Sequence, residues 1–325
     1  MLSLTNIHKT FKVAQRGKGA GAALKALFRR EYKYIHALDD VSFQIGEGEI
    51  VGYIGPNGAG KSTTIKVMSG ILVPDSGQCE IMGYTPWKDR RDYVEHIGVV
   101  FGQRSQLWWD VPIADSFDLL RDIYKIPPQA YRQTLDMLTE TLGLAEFLQT
   151  PLRQVSLGQK MRAEIAASLL HSPKILFLDE PTIGLDAVSK LAVRQFIKDI
   201  NAERRLTVIL TTHDQNDIEA LTDRVILIGK GQILYDGSLQ KIKRHFDTYR
   251  TLTITYSPHE IPLEIEHAEL QSWSTERAVY RLDSAQTTVS AAIAELGKSL
   301  NILDMTSEGP PVEEIIAGLY QEHGI

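Results

Sequence analysis

Four short runs of this chain, 49–54, 175–178, 207–210 and 224–228, are apolar at nearly every position. A strand with one wet face alternates apolar and polar residues, whereas a strand covered on both faces reads as an unbroken apolar run. These four therefore predict a parallel sheet buried between helices. Further strands are expected at 2–7 and 37–45. Between 114 and 148 the apolar positions recur at helical spacing, interrupted by Pro127-Pro128 and Gly143, and another helix is expected over 161–170. Beyond about residue 247 the period changes: 251–256 and 278–282 alternate like half-buried strands, 287–296 reads as a helix, a strand is expected near Ile302, and 312–320 has the spacing of a docked helix. The expected layout is an α/β domain over 1–240 with a helical subdomain at about 90–165, followed by a small α+β domain over 247–325.

Charge sharpens that division. The net charge of −6 hides a tail, residues 245–325, with 4 Lys/Arg against 13 Asp/Glu, while 1–244 holds 31 basic and 28 acidic residues. The opposite bias marks an insert at 12–34, where Lys12, Arg16, Lys18, Lys25, Arg29, Arg30 and Lys33 face only Glu31. Leu24, Leu27 and Phe28 form a helical-spaced apolar stripe inside it. One reading rests that stripe against anionic headgroups or a membrane protein, and the other leaves it as a solvated excursion. A short insert is not the broad basic face that nucleic acid requires, so no nucleic-acid partner is expected. The single cysteine, Cys79, excludes an internal disulfide, suits a reducing compartment and is expected in the core. No apolar run approaches the roughly 18 residues of a membrane span, so any membrane involved is expected to be crossed by another chain.

The chemistry starts at Gly55-Pro56-Asn57-Gly58-Ala59-Gly60-Lys61-Ser62, followed by Thr63. Glycines open this loop so that backbone N–H groups can wrap phosphates. Lys61 reaches the β- and γ-phosphates, and the Ser62 hydroxyl is a ligand for Mg²⁺. A buried strand precedes the loop and a helix follows it, which points the helix N-terminus at the anion. Asp179 and Glu180 end the apolar run 175–178, an unfavourable place for carboxylates unless they have work there. Asp179 is placed to hold the Mg²⁺ shell and Glu180 to orient or deprotonate an attacking water.

Together these residues resemble the nucleotide-binding subunit of ATP-binding-cassette (ABC) transporters, and the likeness runs from Leu2 to about Ser238. Val155-Ser156-Leu157-Gly158-Gln159 matches the family's signature segment, Gly184-Leu185-Asp186 its D-loop, His213 its switch histidine and Gln103 its Q-loop glutamine. The resemblance implies a P-loop NTPase fold of RecA-like type and ATP and Mg²⁺ as ligands. It implies Glu180, His213 and Gln103 as catalytic residues, and Ser62, Gln103 and Asp179 around the metal. It further implies a head-to-tail homodimer in which ATP lies between one copy's phosphate loop and the other copy's Ser156, Gly158, Gln159 and Asp186. Phe11 matches the aromatic that stacks on adenine, with Tyr34 as a second candidate and a core role for Phe11 as the alternative.

The family's usual signature has Gly where this chain has Leu157, a bulkier residue expected to slow closure. Trp108 and Trp109 either pack the helical subdomain or line a groove for a membrane partner. The acidic tail and its closing helix are similar to appendages in ABC-2 exporters. The resemblance thus implies separate transmembrane permease subunits, peripheral contact with the cytoplasmic face of the cell membrane, and export. The alternative is a soluble ABC ATPase serving an assembly or repair complex.

Overall fold

A computed structural model describes residues 1–14, 32–102, 104–212 and 214–324. The stripe of Leu24, Leu27 and Phe28 lies outside the described residues. The chain divides into two compact units, Met1–Asp236 and Gly237–Ile325.

In the first unit, β1 (Leu2–Ala14), β2 (Tyr32–Ile45) and β4 (Ser76–Ile81) form an antiparallel sheet in the order β2-β1-β4. The larger sheet has the order β5-β6-β7-β3-β8-β9. It is built from β3 (Ile50–Ile54), β5 (Ile97–Phe101), β6 (Ile175–Asp179), β7 (Thr207–Thr211), β8 (Arg224–Gly229) and β9 (Gln232–Ser238). Strands β5, β6, β7, β3 and β8 run parallel, as the apolar runs imply.

The pleat explains those runs residue by residue. Ile175, Phe177 and Ile209 enter one core cluster, shared with β1, β2 and the helix α1 (Lys61–Met68). Leu176, Leu178, Val208 and Leu210 enter the other, shared with the helical part of the unit. Successive side chains point to opposite faces, so a strand covered on both sides has no position left for a polar residue.

The hairpin differs from expectation. Strands β1 and β2 run on to Ala14 and back to Tyr32 with Phe11 opposite Ile35 and Lys12 opposite Tyr34, so the ladder takes residues 12–14 and 32–34 from the insert. Aromatic and β-branched residues favour such a pleated pairing. The Lys12 ammonium lies 4.0 Å from the Tyr32 ring centroid, which adds a cation–π contact.

Among the described residues, the further α-helices of this unit are α2 (Arg90–Tyr93), α3 (Ile113–Ile123), α4 (Pro128–Thr141), α5 (Leu157–Leu169), α6 (Ala187–Arg204) and α7 (Gln215–Leu221). Pro127 and Pro128 separate α3 from α4, with Pro128 in the first turn, where a missing N–H costs nothing. Cys79 is buried in the core.

The second unit opens with α8 (Leu239–His245). It continues as a four-stranded antiparallel sheet, β11-β12-β10-β13, formed by β10 (Tyr249–Tyr256), β11 (Ala268–Trp273), β12 (Arg277–Asp283) and β13 (Ile302–Glu308). Leu252, Ile254 and Tyr256 alternate into its core beside Ala292 and Leu296 of α9 (Val289–Leu296). The chain ends with α10 (Val312–Glu322), where Gly318 leaves room for the Phe246 ring. Strand β11 escapes sequence reading because 268–273 lacks a clean alternation.

Candidate active site

Strand β3 is central in its sheet, and its carboxyl end delivers the loop 55–60 to the start of α1. Gly60 allows this turn twice over. Its φ is 115°, and a Cβ there would lie 2.6 Å from the Ala37 carbonyl oxygen. The buried Tyr53 hydroxyl lies 3.0 Å from Thr64 Oγ1, which itself donates to the Gly60 carbonyl at 3.1 Å, so the strand, loop and helix are tied at one point.

Lys61 is buried, and its ammonium donates to the Gly55 carbonyl at 2.5 Å and to the Pro56 carbonyl at 3.3 Å. Burial lowers its pKa, while the carboxylates of Glu180 and Asp179 act in the opposite direction. Across from it, Asp179 ends β6. Its Oδ2 accepts from Ser62 Oγ at 3.1 Å and its Oδ1 from Thr211 Oγ1 at 2.5 Å. Glu180 follows with φ 56°, a left-handed conformation sparsely used by residues other than glycine. Its N–H donates to the Thr211 carbonyl at 3.0 Å, which holds it in that strained geometry. Strain kept in place by neighbouring strands is a mark of functional positions.

These groups line one cleft of about 760 Å³, whose wall includes Ala37, residues of the phosphate loop, Arg104, Asp179, Glu180 and Ile183. Among the described residues no group of three or more His, Cys, Asp or Glu side chains is placed to hold a metal. Ser62 and Asp179 offer two hard oxygens, a donor set that fits Mg²⁺, which keeps waters and takes its other ligands from phosphate. The glycine-lined cradle and the desolvated ammonium fit a polyphosphate.

Other expected residues lie elsewhere. Phe11 stands half-exposed on β1, outside the cleft lining. Ser156 caps α5: its Oγ accepts from the Gln159 N–H at 3.2 Å, and the Gln159 side chain accepts from the Ser156 N–H at 2.8 Å, a reciprocal capping box. A Cβ on Gly158 would lie 2.4 Å from Ser189 Oγ, so α5 and α6 approach closely at their starts. Asp186 caps α6 through the Ser189 N–H and hydroxyl, and these bonds hold its carboxyl below the usual range. Leu157 is half-exposed and lies against Gly184. Ser156, Gly158, Gln159 and Asp186 are thus not part of the cleft wall. Gln103 and His213 fall outside the described residues.

The ABC transporter family profile matches residues 38–183, a stretch that holds the glycine-rich loop 55–62, the Ser156-capped helix α5 and the Asp179-Glu180 pair. The chain thus carries an ABC transporter domain over residues 38–183. This cassette is 29% identical to the ABC transporter ATP-binding protein NatA of Bacillus subtilis over 70% of its own length and 92% of NatA. It is 27% identical to the bacitracin transport ATP-binding protein BcrA of Bacillus licheniformis over 287 residues, 87% of this chain and 92% of BcrA, so that match reaches into the second unit. The solved dimer of the cassette MJ0796 in a post-hydrolysis state with ADP and Pi gives a TM-score of 0.61 at 27% identity. That likeness covers 74% of this chain and 99% of that one. The cassette is an ATPase of the P-loop fold, and no described helix is long and apolar enough to cross a membrane.

One constellation was not legible in the sequence. Asp217, fully buried at the start of α7, accepts from Arg194 Nε at 2.5 Å, from Thr212 Oγ1 at 3.0 Å and from Thr182 Oγ1. Asp214 pairs with Lys190 and, at 3.3 Å, with Arg194. This knot fastens the segment after Glu180 and the residues flanking position 213 to α6. A lone Asp in an amphipathic helix gives no signal of a partner 23 residues upstream.

Proposed function

We propose that this ATPase is the motor subunit of an export system, that two copies close head to tail on ATP, and that separate membrane-spanning permease chains carry the cargo. The observation that carries the catalytic part is the meeting of Lys61, Ser62, Asp179 and Glu180 in one cleft, from two elements separated by more than a hundred residues.

In this reading the N–H groups of the loop and of the first turn of α1 bind the phosphates. The Lys61 ammonium exchanges its two carbonyl partners for β- and γ-phosphate oxygens. Ser62 and Asp179 would hold Mg²⁺, whose charge would offset that on the phosphoryl oxygens. Thr211 orients the Asp179 carboxylate, and the Glu180 carboxylate receives the proton of the attacking water. Gln103 and His213 assist at the γ-phosphate, and Phe11 stacks on adenine.

The position of Ser156 and Gly158 outside the cleft wall is what a composite site needs, since the Ser156 hydroxyl keeps its proton for a phosphate on another copy while it accepts from Gln159. Exposed Trp108 and Trp109, 41% and 57% accessible, offer aromatic anchors to a permease at the cytoplasmic face of the membrane. The kinship with BcrA, named for bacitracin transport, favours export. The test is Glu180→Gln: it binds ATP with Mg²⁺ and elutes as a dimer in size-exclusion chromatography with light scattering. Normal turnover by that variant removes Glu180 from its role.

A further inference from the structure

Glu164 is a carboxylate placed on the core side of α5, 3% exposed, among apolar neighbours. Burying a carboxylate is costly unless hydrogen bonds replace its water, and here they come from a single short segment. Ser105 Oγ donates to Glu164 Oε1, and the Gln106 N–H donates to Oε2 at 3.2 Å. The Gln106 side-chain amide donates to the Glu164 carbonyl at 3.0 Å. Burial pushes the carboxyl upward in pKa, and these donors oppose that shift.

The same face of α5 holds the segment at a second place. Lys160, one turn earlier, lies 5.8 Å from the Trp109 ring centroid. Just before the helix, the Arg153 N–H donates to the Trp109 carbonyl at 3.1 Å and the Leu152 N–H to the Val111 carbonyl at 3.3 Å. Residues 104–112 are therefore laid along 152–164 and clasped at both ends.

We infer that Glu164 is a positioning residue that makes the Trp108-Trp109 loop and the Ser156-bearing helix one rigid body, so that a nucleotide engaging the signature segment moves the exposed tryptophans with it. The inference rests on the ATP-dependent dimer proposed above. It assigns Glu164 no contact with nucleotide; the residue acts by holding Ser105 and Gln106. In a helix otherwise filled by Ala163, Ile165, Ala166 and Ala167, an apolar residue would pack at this position without needing any partner, so the carboxylate serves the clasp.

The test is hydrogen exchange over 104–112 in the full chain carrying Glu180→Gln, with and without Mg²⁺ and ATP, alongside a direct measurement of ATP affinity. With Glu164 present, ATP slows exchange of this segment. With Glu164→Ala added, exchange at the Gln106 amide rises about tenfold or more, as expected for losing bonds to a charged acceptor. The ATP-dependent difference disappears, while ATP affinity stays within about threefold because the cleft is untouched. Ser105→Ala, a milder break, is expected to lose part of the same difference and serves if Glu164→Ala does not fold. Persistence of the full ATP-dependent difference in a folded, ATP-binding Glu164 or Ser105 variant overturns the clasp. Binding without any exchange difference in the parent chain overturns it as well, whereas failure of the parent chain to bind ATP refutes the nucleotide reading instead.

Discussion

Replacing Asp217 by Asn should destabilise the first unit more than any exposed charge change. The side chain keeps its shape, so the perturbation is electrostatic. Asp217 accepts from the Arg194 guanidinium and from two threonine hydroxyls with no exposure to water. Breaking a buried pair by removing one charge costs about 3–5 kcal/mol. Two features soften the loss. The Asn oxygen can still face Arg194 while its NH₂ donates to the hydroxyls, and Arg194 retains Asp214 at 3.3 Å. A cost of about 2–4 kcal/mol remains. For a unit of this size each kcal/mol lowers Tm by about 2–4 °C, so the expected drop is about 4–16 °C. Calorimetry or thermal circular dichroism on wild type and Asp217→Asn measures it, with Asp217→Ala expected to be worse because two hydroxyls lose their acceptor. A drop smaller than about 2 °C would refute the view that this knot holds the catalytic segments together.

Lys61→Ala should fold, because it removes a desolvated charge along with its two bonds to loop carbonyls, yet lose ATP affinity by about 100-fold or more, since two charge-assisted phosphate contacts go with it; near-normal affinity by calorimetric titration would contradict the assignment. Leu157→Gly removes the side chain lying against Gly184 and should raise ATP turnover about two- to fivefold by easing closure. An unchanged rate shows the departure from the family's glycine to be neutral. Burial pushes the Cys79 thiol up to about 12, so it should resist alkylation at pH 8 in the folded chain and react after unfolding. The corresponding contribution to stability is complete below about pH 9 and is lost as pH rises towards about 12, because the unfolded thiol ionises first and the buried one does not. An alkaline denaturation series on wild type and Cys79→Ala separates that contribution from the rest.

Much of the site was legible in the sequence because its determinants are local. The loop 55–62 encodes its own turn through glycines, and its lysine and serine follow at positions set by the helix. The apolar runs of β6 and β7 announce strands covered on both faces, and Asp179 and Glu180 stand out because carboxylates rarely end such a run. Helix α5 likewise carries its capping box within four residues, Ser156 to Gln159. By itself the sequence therefore determined the class of fold, the glycine-rich loop and the two candidate carboxylates, Asp179 and Glu180, that share its cleft.

Tertiary structure decided what depends on distant partners. It extended β1 and β2 into the flanks of the basic insert, because strand pairing is a property of two segments. It placed Ser62 against Asp179 across the sheet and held Glu180 in a left-handed conformation through Thr211. It gave Asp217 and Glu164 their partners, Arg194 and Ser105, at separations no local pattern encodes. A hydrogen bond to a buried charge is decided by which groups packing brings within about 3 Å, and only the folded chain sets that distance.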